Sequence, residues 1–284
     1  MGRFLGVHVE TALIRIFSDM HYGDRLSRVD RLAQIRPLLD GVTGVVLNGD
    51  TVDTRAGPNP QHTADCRAHV QAFVQDCAGL PITFLTGNHD PDFSPHHLLE
   101  QAGGRVLVTH GDILFDNIVP WGRDARTMAR RIAAAYRDVA PVDRGTLETR
   151  FAIWRRVAAS IPQRHQSERN PLKYAVHLAA DTVWPPWRFL RVIHAWRSAP
   201  ELAAHFVRRH HPRAGFIVIG HTHRPGVHRM PDGIVAINTG SFCPPLGGYA
   251  VDLSEERLDV RRIDFVRGEF RPGGTVAKFP LARA

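Results

Sequence analysis

Five short apolar runs punctuate this chain, and each is followed at once by a block of Asp, Asn or His residues. The runs cover 13–17, 45–47, 82–85, 106–108 and 216–219. The blocks behind them are Asp19-Met20-His21, Gly49-Asp50-Thr51-Val52-Asp53, Gly87-Asn88-His89-Asp90, His110-Gly111-Asp112 and Gly220-His221-Thr222-His223. Continuous Val, Ile, Leu and Phe over so few residues is the pattern of strands covered on both faces. Helical patterns lie between them. One runs over 27–40, with Ser27 and Asp30 spaced as a capping box and Val29, Leu32, Ile35, Leu38 and Leu39 turned inward. Another covers 61–78, where Cys66, Val70, Phe73, Val74 and Cys77 share a stripe that favours buried thiols. Strand and helix in alternation predict an α/β layered fold. Ligands in such folds gather at the carboxyl ends of the strands, where all five blocks fall.

The block residues are of the types that hold two hard divalent cations: imidazoles, an amide oxygen, and carboxylates of which one can bridge. The candidates are Asp19, His21, Asp50, Asn88, His110, His221 and His223. The single residue inside Asp-x-His and His-x-His would let both side chains point one way on an extended loop. The glycines at 49, 87 and 220 would allow sharp turns and close backbone approach. A lone His after an apolar run is more often just hydrogen-bonded or exposed, and His96, His97, His210 and His211 are read so.

In this order the blocks resemble the calcineurin-like metallophosphoesterase superfamily, over 19–223 and on to Asn238-Thr239-Gly240-Ser241. The resemblance implies a layered sandwich of two β-sheets flanked by helices. It also implies one metal on Asp19, His21, Asp50 and His223, and a second on Asp50, Asn88, His110 and His221. A hydroxide between the metals would attack phosphorus, and His89, oriented by Asp90, would stabilise the transition state or protonate the leaving oxygen. Asp53 would fix a ligand or its turn. Mn²⁺ is the metal expected from the resemblance, with Fe or Zn²⁺ compatible with the same donors. Arg224 and Asp116 are candidate substrate contacts.

Between the fourth and fifth blocks the texture changes. Met128, Ile132, Tyr136 and Val139 repeat at helical spacing, as do Leu147, Phe151, Trp154, Ala158 and Ile161, with arginines opposite and Pro162, Pro171, Pro185 and Pro186 as breaks. Residues 121–212 hold 17 Lys/Arg against 7 Asp/Glu, a net of +10, which leaves −2 for the rest of a chain whose net charge is +8. The basic character therefore belongs to one segment and implies an anionic partner. The expected organisation is a discontinuous catalytic domain (1–122 and 212–270), a helical Arg-rich cap over 123–211, and a loosely held tail over 271–284. Strand signals recur at 234–237, 249–253 and 258–265, the last two alternating as on an antiparallel edge.

Within the superfamily, Gly220-His221-Thr222-His223-Arg224-Pro225, His228 and the helical insertion resemble the UDP-2,3-diacylglucosamine pyrophosphatase group. That likeness implies a nucleotide-linked lipid as substrate and contact with an anionic membrane, with Trp154, Trp184, Trp187, Phe189 and Trp196 available for acyl chains. Ordinary helix packing explains those aromatics equally well. The run Ile113-Leu114-Phe115-Asp116-Asn117 departs from the group's acidic stretch. Protein phosphatases are a competing branch, although Arg55 stands one place late and Asp90 replaces their Glu. A phosphodiesterase or nuclease would also suit the basic segment, and a metal-free scaffold is disfavoured by the intact ligand set. No apolar stretch approaches the ~20 residues of a membrane span. The expected setting is cytoplasmic, without a secretory leader, with thiols reduced and peripheral contact at the inner face of the membrane.

Overall fold

Period-two alternation within the buried runs builds two sheets back to back. The structure, a computed structural model, describes residues 12–163, 173, 176 and 187–281. Pro171, Trp184, Pro185 and Pro186 fall outside the described residues. The first sheet has the order β11-β10-β9-β1-β2-β3, from β1 (Ile14–Phe17), β2 (Gly44–Asn48), β3 (Ile82–Leu85), β9 (Gly248–Leu253), β10 (Arg257–Val266) and β11 (Glu269–Pro280). The second has the order β4-β5-β6-β8-β7, from β4 (Leu98–Gln101), β5 (Val106–Thr109), β6 (Phe216–Ile219), β7 (Gly226–Arg229) and β8 (Val235–Asn238). β1, β2 and β3 run parallel, as do β5, β6 and β8.

Ile16, Val46, Val108, Val218 and Ile237 share the core between the sheets. Their neighbours along each strand face outward. Phe17, Val45 and Leu47 pack with Ile35, Leu38, Val70 and Phe73, the last two from α1 (Pro60–Asp76). Leu107, Ile217 and Ile219 pack with Met128, Ile132, Trp154, Val157 and Ala203. Those residues belong to α2 (Ala125–Arg137), α3 (Leu147–Ala159) and α4 (Trp187–His210). The order is helix, sheet, sheet, helix, the layered α/β sandwich expected. Each buried Leu, Ile or Phe side chain contributes about 1.5–3 kcal/mol, so the two outer layers matter as much as the middle one. The segment read as a cap therefore supplies, over its described residues, the outer layer of the second sheet. It is also fastened to loops: Arg155 donates to the carbonyls of Pro91 (2.7 Å) and Ser94 (3.1 Å), and Trp196 Nε1 donates to the Thr222 carbonyl at 2.8 Å.

Two sequence expectations are corrected. Residues 269–280 are not a loose tail but β11, hydrogen-bonded along β10, with Phe270, Phe279 and Leu281 buried. The Pro272-Gly273-Gly274 stretch, which reads as a loop, is an irregularity in an edge strand, where Pro and Gly are tolerated. The helix read over 27–40 shrinks to a 3₁₀ segment, Leu32–Leu38. Gln34 Oε1 caps it, accepting from the Asp30 and Arg31 N–H groups at 2.9 and 3.0 Å, while Ser27 Oγ instead donates to the Met20 carbonyl.

Arg15, hidden inside an apolar run, is 3% exposed and makes a two-pronged pair with Asp252 on β9 at 2.6 and 2.9 Å. Removing one partner of such a pair strands a buried charge. Asp252→Ala is expected to lower unfolding free energy by about 3–5 kcal/mol in urea denaturation; a loss below ~1 kcal/mol would show the pair to be dispensable.

Candidate metal centre

The carboxyl ends of β1, β2, β3, β5 and β6 meet on one rim of the sandwich, and their loops carry the candidate residues. The loops after β1 and β2 run side by side, with the Asp19 N–H on the Gly49 carbonyl (3.0 Å) and the His21 N–H on the Asp50 carbonyl (2.9 Å). Among the described residues, eight non-glycine positions have positive φ, and five of them are candidates: Asp19 (54°), His21 (47°), Asp50 (50°), His221 (68°) and His223 (57°). Convergence of Asp-x-His and His-x-His thus comes from left-handed backbone at both residues, not from an extended loop. Such conformations cost about 1–3 kcal/mol each and persist where surroundings enforce them. Gly87 is required by space: a Cβ there would collide with the Asp50 carboxylate.

Three groups of potential donors lie close together: Asp19, His21 and His223; Asp50, His110 and His221; and His21, Asp50 and His89. Asp50 belongs to the last two, and its Oδ2 lies 3.3 Å from His110 Nε2 and 3.7 Å from His21 Nε2. Its Oδ1 accepts the His89 N–H at 2.7 Å, which fixes the carboxylate's orientation. Asp19 Oδ1 lies 3.2 Å from His223 Nε2, while Oδ2 accepts from Ser18 Oγ and from the His221 N–H. The Nε2 atoms of His21 and His223 face each other at 3.1 Å. Asn88 Oδ1 and His110 Nε2 are buried with no hydrogen-bond partner. An orphaned buried acceptor costs about 1–3 kcal/mol, so Asn88 in particular fits a cation as its partner.

Two of the imidazoles are held in the neutral form, whereas against burial Asp50 and then Asp19 hold His110 well above the usual imidazole value. Burial first, then His89, hold His21 down to about 4, and burial with His110 holds His221 down to about 3. Both rings are therefore neutral near pH 7, the form that donates to a metal. Burial works against ionisation of Asp50, but His110 and His89 outweigh it and hold this carboxyl well below its usual range. In two of the histidines one ring nitrogen is held by a main-chain oxygen: His110 Nδ1 by the Asn48 carbonyl (3.0 Å) and His221 Nε2 by the Ile118 carbonyl (2.8 Å). Such bonds fix tautomer and ring direction.

His89 sits at the edge of this group, its side chain 28% exposed. Its orienting carboxylate is Asp53, with Oδ2 at 2.9 Å from Nδ1, and this corrects the expectation placed on Asp90. Asp90 is consumed by backbone, accepting from Gly87 (2.6 Å), Thr51 (2.7 Å) and Asp50 (3.0 Å), so it locks the two turns together. Arg55, one place late for the protein-phosphatase pattern, nevertheless joins the site: its Nη2 lies 2.6 Å from Asp53 Oδ2 and 2.7 Å from His89 Nδ1. Ser18 and the Ile118 carbonyl carry no sequence signal, while Thr239, from the Asn238–Ser241 motif, places its Oγ1 2.6 Å from Ser18 Oγ, behind Asp19. The two expected substrate contacts have partners of their own. Asp116 is fully exposed and pairs with Arg150 at 3.5 Å. Arg224 is exposed, its guanidinium 5.3 Å from the centre of the Trp196 ring.

The sequence model of a family described as Calcineurin-like phosphoesterase matches residues 12–225. No curated protein matches the chain. Solved structures do. Vacuolar Protein Sorting 29 from Cryptosporidium parvum is 13% identical, covering 96% of this chain and 99% of its own, at a TM-score of 0.44. A dimetal phosphatase from Danio rerio is 15% identical, with 89% and 96% covered and a TM-score of 0.41. A predicted phosphoesterase from Streptococcus pneumoniae TIGR4 is 14% identical, with 95% and 98% covered and a TM-score of 0.38.

The crowding at Gly87 gives a direct test of the geometry. Gly87→Ala should keep the far-ultraviolet circular dichroism of the wild type and weaken Mn²⁺ binding in calorimetry by at least about tenfold, the scale of a disturbed ligand support. Wild-type affinity in this variant would mean that the Asp50 carboxylate is not a ligand.

Proposed function

The chain belongs to the Calcineurin-like phosphoesterase family, and from that premise we propose that it hydrolyses a phosphoester or diphosphate bond with the help of two divalent cations. One would be held by Asp19, His21, Asp50 and His223, the other by Asp50, Asn88, His110 and His221. The observation that carries this is the position of Asp50 Oδ2, within 3.3 and 3.7 Å of histidine nitrogens that belong to two different donor groups. Cations so placed supply Lewis acidity, drawing charge from the phosphoryl oxygens and making water nucleophilic near neutral pH.

The side chains around them do the rest. Asp53 holds Nδ1 of His89 and leaves Nε2 to pass a proton to the leaving oxygen. Arg55 contributes by charge: burial alone would raise the Asp53 carboxyl, but the guanidinium and then His89 keep it well below the usual range. His89 stays protonated more readily than a free imidazole, because Asp50 and Asp53 outweigh burial and the Arg55 charge. A general acid needs that bias.

For the substrate, we favour a diphosphate-linked nucleotide lipid of the UDP-2,3-diacylglucosamine kind, cleaved at a cytoplasmic membrane face. The 220–225 motif with His228, the basic insertion, and the exposure of Trp187 (58%), Phe189 (49%) and Leu190 (66%) support this reading. No helix among the described residues is long and apolar enough to cross a membrane. Mn²⁺ remains our first choice of metal.

The test is metal analysis of the purified protein, then hydrolysis of a phosphomonoester, a phosphodiester, a UDP-lipid and single-stranded DNA. Chelation should abolish activity and Mn²⁺ should restore it. Asp50→Ala and His89→Ala should each lower kcat by at least ~10²-fold. Two bound metals without turnover of any of the four would defeat the hydrolase reading, and preference for DNA would replace the lipid by a nuclease substrate.

A further inference from the structure

A short stretch of the insertion, residues 155–163 at the end of α3 and just past it, grips both of the loops that meet at His89. Arg155 holds the loop after β3, with Nε on the Pro91 carbonyl (2.7 Å) and Nη2 on the Ser94 carbonyl (3.1 Å). Gln163 holds the loop after β2. Its main-chain N–H donates to the Ala56 carbonyl at 2.8 Å. Its side-chain Nε2 donates to the Arg55 carbonyl at 3.0 Å and to Thr63 Oγ1, on α1, at 2.8 Å. A carbonyl can only accept, which fixes the amide with its nitrogen toward Arg55. Gln163 is 7% exposed, and a Cβ at Gly57 would collide with its side chain. The fit between this glutamine and the loop is therefore close on two sides.

What the loop carries gives the contact its consequence. The Thr54 N–H donates to the His89 carbonyl at 2.9 Å. Arg55 Nη2 lies 2.6 Å from Asp53 Oδ2 and 2.7 Å from His89 Nδ1. The peptide that Gln163 holds by its carbonyl thus belongs to the residue whose guanidinium braces the His89 ring. A shift of about 1 Å at a catalytic group, caused from outside the site, can cost on the order of 10²-fold in rate.

We propose that Gln163 is a positioning residue for proton transfer to the leaving group: it holds the Arg55 peptide so that Arg55 and Asp53 keep the His89 ring in place. The proposal rests on the hydrolase reading for the proton transfer, but not for the placement of the loop. The insertion then acts on the chemistry as well as covering the second sheet. Substrates whose departing oxygen needs a proton depend on Gln163, and substrates that release a stable anion do not.

The experiment compares two esters of UMP, methyl and p-nitrophenyl, as substrates of the Mn²⁺-loaded full chain. Nitrophenolate departs without a proton, whereas methoxide needs one. Gln163→Ala should lower kcat for the methyl ester by about tenfold or more, with KM and the p-nitrophenyl rate within about twofold of wild type. The isosteric Gln163→Glu, which offers the Arg55 carbonyl no donor, should do the same. Mn²⁺ affinity in calorimetry should match wild type in both. Gly57→Ala displaces the same side chain from the loop's side and should reproduce the split between the esters. Combined with Gln163→Ala it should add no further loss, as for two changes that act on one contact. Amide hydrogen exchange supplies a reading independent of turnover: the Thr54 N–H should exchange about tenfold faster in Gln163→Ala than in wild type. An equal loss on both esters, no loss on either, or wild-type exchange at Thr54 would overturn the proposal. Wild type inert toward both esters counts against the hydrolase reading, and the exchange at Thr54 then decides the placement by itself.

Discussion

The strand-end loops are organised around one buried carboxylate, that of Asp50, which is 2% exposed. Bringing an ionised carboxylate out of water costs several kcal/mol unless something charged meets it. Asp19, fully buried on the next loop, adds a like charge. The chain answers with His110 and His21 beside Asp50, with His223 beside Asp19, and with backbone N–H groups on both carboxylates. His110 and His89 offset the Asp50 charge, whereas burial keeps His21 and His221 neutral, with lone pairs to offer. Together with the unpartnered Asn88 oxygen, those lone pairs fit a cation. The left-handed backbone at five of these residues and the orphaned Asn88 oxygen are local costs, about 1–3 kcal/mol each, that the surrounding sandwich has to bear. Asp90, with three backbone N–H groups on one carboxylate, is how the loops after β2 and β3 hold that arrangement.

This explains which parts were legible in the sequence. A strand buried on both faces announces itself as an apolar run, and a ligand placed at its end stands out by residue type. Strands, blocks and layered fold could be read for that reason. Where an element depends on distant partners, the sequence misleads. Residues 269–280 look like a Pro-Gly-Gly tail because the pairing that makes them a strand comes wholly from β10. Residues 27–31 carry a capping-box spacing, yet the Ser27 hydroxyl is drawn off by the Met20 carbonyl in the loop after β1.

The fine structure of the site was harder still. Asp90 follows His89 directly, so adjacency suggested that it orients the ring. Neighbouring side chains in a turn diverge, and the carboxylate that reaches Nδ1 is Asp53, from another strand's loop. Arg55 belongs with it, and its pattern of contacts depends on how the loops after β2 and β3 meet. The Ile118 carbonyl could not have been found at all, since a main-chain acceptor leaves no mark on residue type.

Ile118 also shows how the insertion is joined to the centre. It is a fully buried β-branched residue with φ of 63°, a conformation such residues avoid. Its carbonyl holds His221, and Trp121, three residues on, packs against the same ring. At Ala125 the chain enters α2, whose inner face shares a core with α3, α4 and the second sheet. The packing of the helices thus sets the position of a strained peptide, and the strained peptide sets the direction of an imidazole. Trp154 and Trp196 serve this framework, one buried in the helical core and the other bonded to the Thr222 carbonyl between His221 and His223. Trp187 and Phe189 are left exposed, beside arginines. Aromatic residues that looked alike in the sequence therefore divide into two kinds, and only the second kind remains open to a ligand.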